Sequence, residues 1–156
     1  MHRKEFHVIA LDLREFPLRE EEAPGGTLRF GFPLHSAAGT AASAVVHFEL
    51  TPGASLATHA DSAEEILYVL EGEAEATVAD ETARLRAGQL AVVPAMAPHG
   101  LRNVGDGPLR VLGFFASSTV VSTFEEPPAP GAPQVFVAGA PVELAAPLGE
   151  GTTLTA

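Results

Sequence analysis

Residues 53–72 read GASLATHADSAEEILYVLEG, and residues 88–103 read GQLAVVPAMAPHGLRN. The first stretch runs Gly53, five residues, His59-Ala60-Asp61, three residues, Glu65, six residues, Gly72. The second runs Gly88, five residues, Pro94, then His99 and, four on, Asn103. On a strand, residues two apart point to the same face, so His59 and Asp61 can present both side chains to one point. Glu65 opens the next strand pattern and His99 opens another. Two imidazoles with one or two carboxylates suit Fe(II), Mn(II), Ni(II), Co(II) or Zn(II), with positions left over for water or substrate. These are metal-site spacings on a β framework.

The flanks carry the same period. Downstream of the first motif, Glu65–Glu71 is apolar on both faces, as expected for a strand covered on both sides. Segments 74–78, 82–86 and 89–93 follow at short intervals, then 99–104 and 109–116. Upstream, segment 43–51 alternates, with Val46, Phe48 and Leu50 facing one way and Val45, His47 and Glu49 the other. Segment 27–34 puts Leu28, Phe30, Phe32 and Leu34 on one side. Residues 6–13 predict a first strand, 14–26 a connecting loop and 35–42 a turn. From Phe124 the composition turns to Ala, Pro and Gly, too poor in large apolar residues for a core of its own. Within that tail Val135-Phe136-Val137 reads as an edge strand or a contact with a neighbouring subunit. Short strands this closely spaced, with no long amphipathic helix, predict an all-β sandwich or barrel.

A chain of 156 residues suits one domain. A formal charge of −11 opposes contact with a phosphate backbone or an anionic membrane, so no nucleic-acid or membrane partner is expected. The absence of cysteine excludes disulfides, zinc–thiolate sites and a cysteine nucleophile, and fits a cytoplasmic protein. The apolar run near the N-terminus is broken by Asp12, Arg14 and Glu15, too soon for a signal-peptide core. No G-x-S-x-G elbow or phosphate-binding glycine loop occurs.

The order of the two motifs resembles the cupin superfamily, small double-stranded β-helix (jelly-roll) barrels. Its motifs are written G-x5-H-x-H-x3-4-E-x6-G and G-x5-P-x-G-x2-H-x3-N. Carried over position by position, the resemblance implies His59, Glu65 and His99 as ligands of one divalent metal ion per chain, Fe(II) or Mn(II) before Ni(II), Co(II) or Zn(II). Two positions depart from the pattern: Asp61 stands where the second His of the pair would be, and Met96 where the second motif has Gly. The resemblance covers the central third of the chain. It implies an N-terminal extension of strands and loop over 1–42, a cupin barrel core over 43–118, and a Pro/Ala/Gly-rich tail over 119–156 that serves as an edge strand or dimer contact. A homodimer is expected on the same ground.

The candidate metal ligands are thus His59, Asp61, Glu65 and His99, with Asp61 readable as a ligand or as a loop residue. Glu65, or Asp61 if it detaches, is the candidate base. Phe48, Leu67, Met96, Leu101 and Phe114 are candidates to line a substrate pocket. His47 would complete the metal shell if it pointed inward, but its apolar neighbours place it outward, in an interface or solvent. His2, His7 and His35 have no partner pattern, Glu64 reads as a solvated charge, and Asn103 as a backbone hydrogen-bonder. The family includes dioxygenases, isomerases, epimerases, lyases, transcriptional sensors and storage proteins. The leading expectation is a dioxygenase-type oxidoreductase acting on a small organic molecule. The alternatives are a metal-dependent isomerase, cyclase or lyase that uses no oxygen, and a non-catalytic small-molecule-binding or sensing barrel.

Overall fold

The computed structural model describes Arg3 and residues 5–139. Twelve strands run in the order β1 (Arg19–Ala23), β2 (Gly26–Leu34), β3 (Ala44–Leu50), β4 (Ser55–Asp61), β5 (Glu65–Glu71), β6 (Glu73–Val78), β7 (Glu81–Arg86), β8 (Leu90–Val93), β9 (His99–Asn103), β10 (Leu109–Phe115), β11 (Val120–Phe124) and β12 (Val135–Ala138). They form two antiparallel six-stranded sheets, ordered β1-β2-β3-β10-β5-β8 and β12-β11-β4-β9-β6-β7. From β3 to β6 and again from β8 to β11 the chain alternates between the sheets, which is the winding of a jelly-roll barrel. The only helix among the described residues is a 3-10 turn at Ser36–Ala38. No helix there is long and apolar enough to cross a membrane.

The two sheets close over an apolar interior. Phe48 and Leu50 of β3, Leu67 and Val69 of β5, Leu101 of β9 and Val111 of β10 are all buried, each worth roughly 1.5–3 kcal/mol when removed from water. Asn103 anchors one end of this core. Its amide donates to the Leu50 and Gly107 carbonyls, and its side-chain oxygen accepts from the Gly105 amide, so it bonds to backbone as its motif position suggests. Gly72, which closes the first motif, has φ 90°, and a β-carbon there would lie 2.5 Å from the Pro108 carbonyl oxygen. Only glycine fits that turn.

Three readings of the sequence need correction. Residues 5–12 form no regular structure, because among the described residues no strand pairs with them. The acidic segment read as loop contains β1, which pairs with β2 as an edge strand; its Arg19, Glu20 and Glu22 are exposed, while Glu21 is half-buried. Strand β5 is covered on one side only. Glu65, Leu67 and Val69 are buried, but Ile66 on the opposite face is 40% exposed. The tail expected over 119–156 supplies β11 and β12, which pair with each other and extend the second sheet from β4; residues 140–156 lie outside the described residues.

Candidate metal centre

The site lies where the sheets meet, and a β-bulge decides its geometry. Strand β4 pairs with β9 so that Leu56 faces Leu101 and His59 faces His99, leaving one extra residue on β4 between the two pairs. Were the pairing regular from Leu56 onward, Thr58 would stand opposite His99 and His59 would turn to the outer face. Gly100 makes room for the bulge, since a β-carbon there would lie 2.9 Å from the Leu56 carbonyl oxygen. The bulge brings the two imidazoles together, with ring centroids 4.1 Å apart.

Asp61 follows two residues after His59 on the same face and is buried, as is each histidine. Its Oδ2 lies 3.1 Å from His99 Nε2 and 3.5 Å from His59 Nε2. His59, Asp61 and His99 each offer a ligand atom, all within 4.8 Å of one another. Asp61 therefore points inward rather than acting as a loop residue. Glu65, on the facing sheet, approaches to 3.9 Å from His99 Nε2 and stands just outside that triad. Its carboxylate lies over Gly113, where a β-carbon would come within 2.7 Å of Oε2.

Backbone carbonyls orient both rings. His59 Nδ1 is 2.8 Å from the Ala57 carbonyl oxygen and His99 Nδ1 is 2.9 Å from that of Ala97. A carbonyl only accepts, so each Nδ1 carries the proton and each Nε2 is aimed at Asp61. With the neutral ring's proton on Nδ1, His99 Nε2 and Asp61 Oδ2 face each other as two acceptors, buried and without a hydrogen bond among the described residues, and such orphaned polar atoms are what a metal ion would satisfy. On its other oxygen Asp61 accepts a 2.5 Å hydrogen bond from Ser122.

The charges are pulled apart by their surroundings. Burial pushes the Asp61 carboxyl up, but the His59 and His99 rings, which donate to it once protonated, the charge of His59 and the Ser122 hydroxyl outweigh it and hold the group below the ordinary carboxylate range. Glu65 lacks such donors. Burial, reinforced by the negative charge of Asp61, pushes it up to about 8. For His99, burial lowers the pKa, but the Asp61 carboxylate facing Nε2, the Ala97 carbonyl and Glu65 outweigh it, and the net shift is upward.

Above the triad opens a cavity of about 80 Å³ walled by Phe30, Phe32, Phe48, Phe115, Phe124 and Phe136. Phe124 stacks on His59 at 4.7 Å and meets Phe136 edge-on at 5.5 Å. Of the pocket residues expected from sequence, Phe48 lines this cavity. Leu67 and Leu101 are buried in the core outside its lining, while Met96 and Phe114 are 63% and 42% exposed. Met96 has φ 64°, a left-handed conformation that accounts for glycine at this place in the family motif. His47 is not part of the cluster. It faces outward as expected but is buried, not in solvent, beneath a face where Phe16 and Leu18 pack over the neighbouring Gly31. Sequence reasoning missed Ser122, Phe124 and Phe136. Their signal was the spacing of two between Ser122 and Phe124, which pair across from Asp61 and His59.

Residues 46–115 match the family model described as Cupin domain. They form a cupin domain. A 51-residue segment is 35% identical to an uncharacterized protein of Methanocaldococcus jannaschii, spanning 33% of this chain and 41% of that protein. Among solved structures, the cupin chain is similar to Bacillus subtilis oxalate decarboxylase, described with Mn(II) centres, at 25% identity and a TM-score of 0.56, over 68% of this chain and 29% of the other. A Thermotoga maritima protein described as a predicted oxalate decarboxylase superimposes with a TM-score of 0.62 at 22% identity, over 70% of this chain and 99% of that one. The cupin chain thus spans less than half of the archaeal relative and of the Bacillus enzyme.

Proposed function

We propose that this cupin binds one divalent metal ion, Fe(II) or Mn(II) before Ni(II), Co(II) or Zn(II), through His59, Asp61 and His99 and acts as a dioxygenase-type oxidoreductase on a small organic molecule. The observation that carries the reading is the donor set. Two Nε2 atoms and one carboxylate converge at the foot of an open apolar cavity, the two-histidine, one-carboxylate pattern suited to non-haem Fe(II) oxygenases. A metal held there would supply Lewis acidity and, as Fe(II), electrons for oxygen. The chain's own residues do the rest. The Ala57 and Ala97 carbonyls hold the rings, Ser122 orients Asp61, and the phenylalanine wall limits water. Glu65 serves as the acid–base group, since its pKa of about 8 lets it hold or release a proton near neutral pH.

Elemental mass spectrometry of protein purified without a histidine tag, followed by oxygen uptake on the loaded protein, tests this. Retention of metal by His59→Ala would refute the ligand assignment. A metal-dependent lyase or isomerase that consumes no oxygen is the second reading, favoured by the proton-carrying Glu65 and by the likeness to oxalate decarboxylase. Turnover without oxygen uptake selects it.

The cupin works as a homodimer on this reading. Ile66, flanked in register by Val92 and Phe114, forms an exposed apolar row on the outer face of β8, β5 and β10, next to Leu90 on the edge strand. Val8 and Ile9 of the N-terminal segment are exposed as well. Faces of this kind are covered by partners in stable proteins. Ile66→Lys is expected to shift the species seen by sedimentation from dimer to monomer; an unchanged mass in wild type and variant would remove this part of the reading. The shortage of basic residues supports neither a nucleic-acid nor a membrane partner, and the absence of cysteine supports a cytoplasmic location.

A further inference from the structure

The walls of the cavity also bear on what enters it, and the inference rests on the metal reading above. Its lining holds six phenylalanines, together with Leu28, Val46 and Leu56, and its polar members are Glu21, His59, Asp61, Glu65 and Ser122. Among the described residues no lysine or arginine lines it. Arg29, between the lining residues Leu28 and Phe30, is paired with Glu49 at 3.0 Å, and Arg19, two before Glu21, is turned to Glu21 at 3.0 Å and is itself largely exposed. Apart from His59, every ionisable group in that lining is a carboxyl group, so a dicarboxylate would find no basic partner there beyond the metal itself.

We propose that this site selects neutral, single-ring aromatic molecules bearing one oxygen donor, and rejects small dicarboxylates. The donor oxygen reaches the centre between His59, Asp61 and His99, and the ring lies among Phe30, Phe32, Phe124 and Phe136. Three physical points lead there. A dianion such as oxalate would be stripped of water among Glu21, Asp61 and Glu65 with no lysine or arginine to pair its second carboxylate, and burying an unpaired charge is costly. Aromatic walls favour a ring through stacked and edge-on contacts, of which Phe124 with His59 and Phe124 with Phe136 are examples already in place. A cavity of about 80 Å³ is well below the roughly 300 Å³ at which drug-sized sites begin, which restricts the buried part of the ligand to about one ring.

The test uses the full chain loaded with Zn(II), a diamagnetic ion, and follows amide chemical shifts while phenol, cyclohexanol or oxalate is titrated in. Metal content is measured on the same samples. Phenol is expected to shift the amides of Ser122, Phe124 and Phe136 and to bind at least about tenfold more tightly than oxalate, with cyclohexanol between them. Phe136→Ala, and Phe136→Leu should the first fold poorly, weakens phenol while leaving zinc in place. The proposal is overturned if zinc-loaded protein binds oxalate as tightly as phenol, or if phenol leaves the cavity amides unmoved. Phenol binding at the cavity in a protein that takes up no zinc supports the selectivity and sinks the metal reading alone.

Discussion

His99 and His47 are almost equally buried, at 2% and 1% exposure, yet one belongs to the candidate metal cluster and the other does not. His99 stands on the inner side of the barrel with its Nδ1 tied to a carbonyl and its Nε2 facing Asp61, and its pKa is raised although burial opposes this. His47 stands on the outer face of β3, both ring nitrogens lack a hydrogen-bond partner among the described residues, and burial together with Arg110 pushes its pKa down, against a smaller upward pull from Glu49. Burial by itself therefore does not make a metal ligand. What sets His99 apart is an oriented ring and an opposing carboxylate.

The comparison breaks if removing either histidine has the same effect. Replacing His99 by Ala is expected to cost more than about 100-fold in metal affinity, measured by competition with a chromophoric chelator, because a first ligand should matter more than its supporting partners. His47→Ala should leave that affinity unchanged; a parallel loss would erase the distinction.

Glu65 sharpens it further through pH. Its folded-state pKa of about 8 lies above the ordinary 4.5, so its contribution to the stability of metal-free protein is fully present below pH 4.5 and is lost as pH rises through 8. Metal binding should strengthen over the same interval, since ionised Glu65 adds a second negative charge beside the ion. In Glu65→Gln both slopes should flatten, as read from thermal melts with chelator and from metal titrations at several pH values. Slopes identical to wild type would show that another group titrates.

A smaller effect is expected one shell out. Ser122→Ala removes the hydrogen bond that orients Asp61 and should weaken metal by about tenfold without changing the fold, with Ser122→Thr restoring most of the loss. The smallest belongs to His47. Its two unpartnered nitrogens should make His47→Leu more stable by about 1 kcal/mol in denaturant titrations, with metal content unaltered. The gain should grow as pH falls through the ordinary histidine value of 6.5, where the lowered pKa of His47 makes protonation costly. A loss of stability would mean that the imidazole has a partner that Leu cannot replace.

Much of the barrel was legible because strands betray themselves by a period of two and by their turns. Segment 27–34, segment 43–51 and Glu65–Glu71 fall within a residue of β2, β3 and β5. The N-terminal strand failed for the same reason that the others succeeded: alternation over residues 6–13 marks a face that can be buried, but a strand also needs an edge to pair with. Met96 and Phe114 were misplaced because hydrophobicity does not say which side of a sheet is inside. The register does, and it sends Phe114 to the outer face beside Ile66.

What the sequence determined by itself is the inventory: His59, Asp61, Glu65 and His99 at β spacing, glycines at the turns, and an all-β cupin barrel to carry them. Local periodicity and turn chemistry are written residue by residue, so a reader of the chain can recover them. Tertiary structure alone decided which donors converge. The extra residue in β4 turns His59 toward His99, pairing with β11 sets Ser122 against Asp61, and β12 brings Phe136 from far along the chain to close the cavity. Those choices depend on register between strands distant in sequence, where a slip of one residue reverses every side chain, and no local pattern records them.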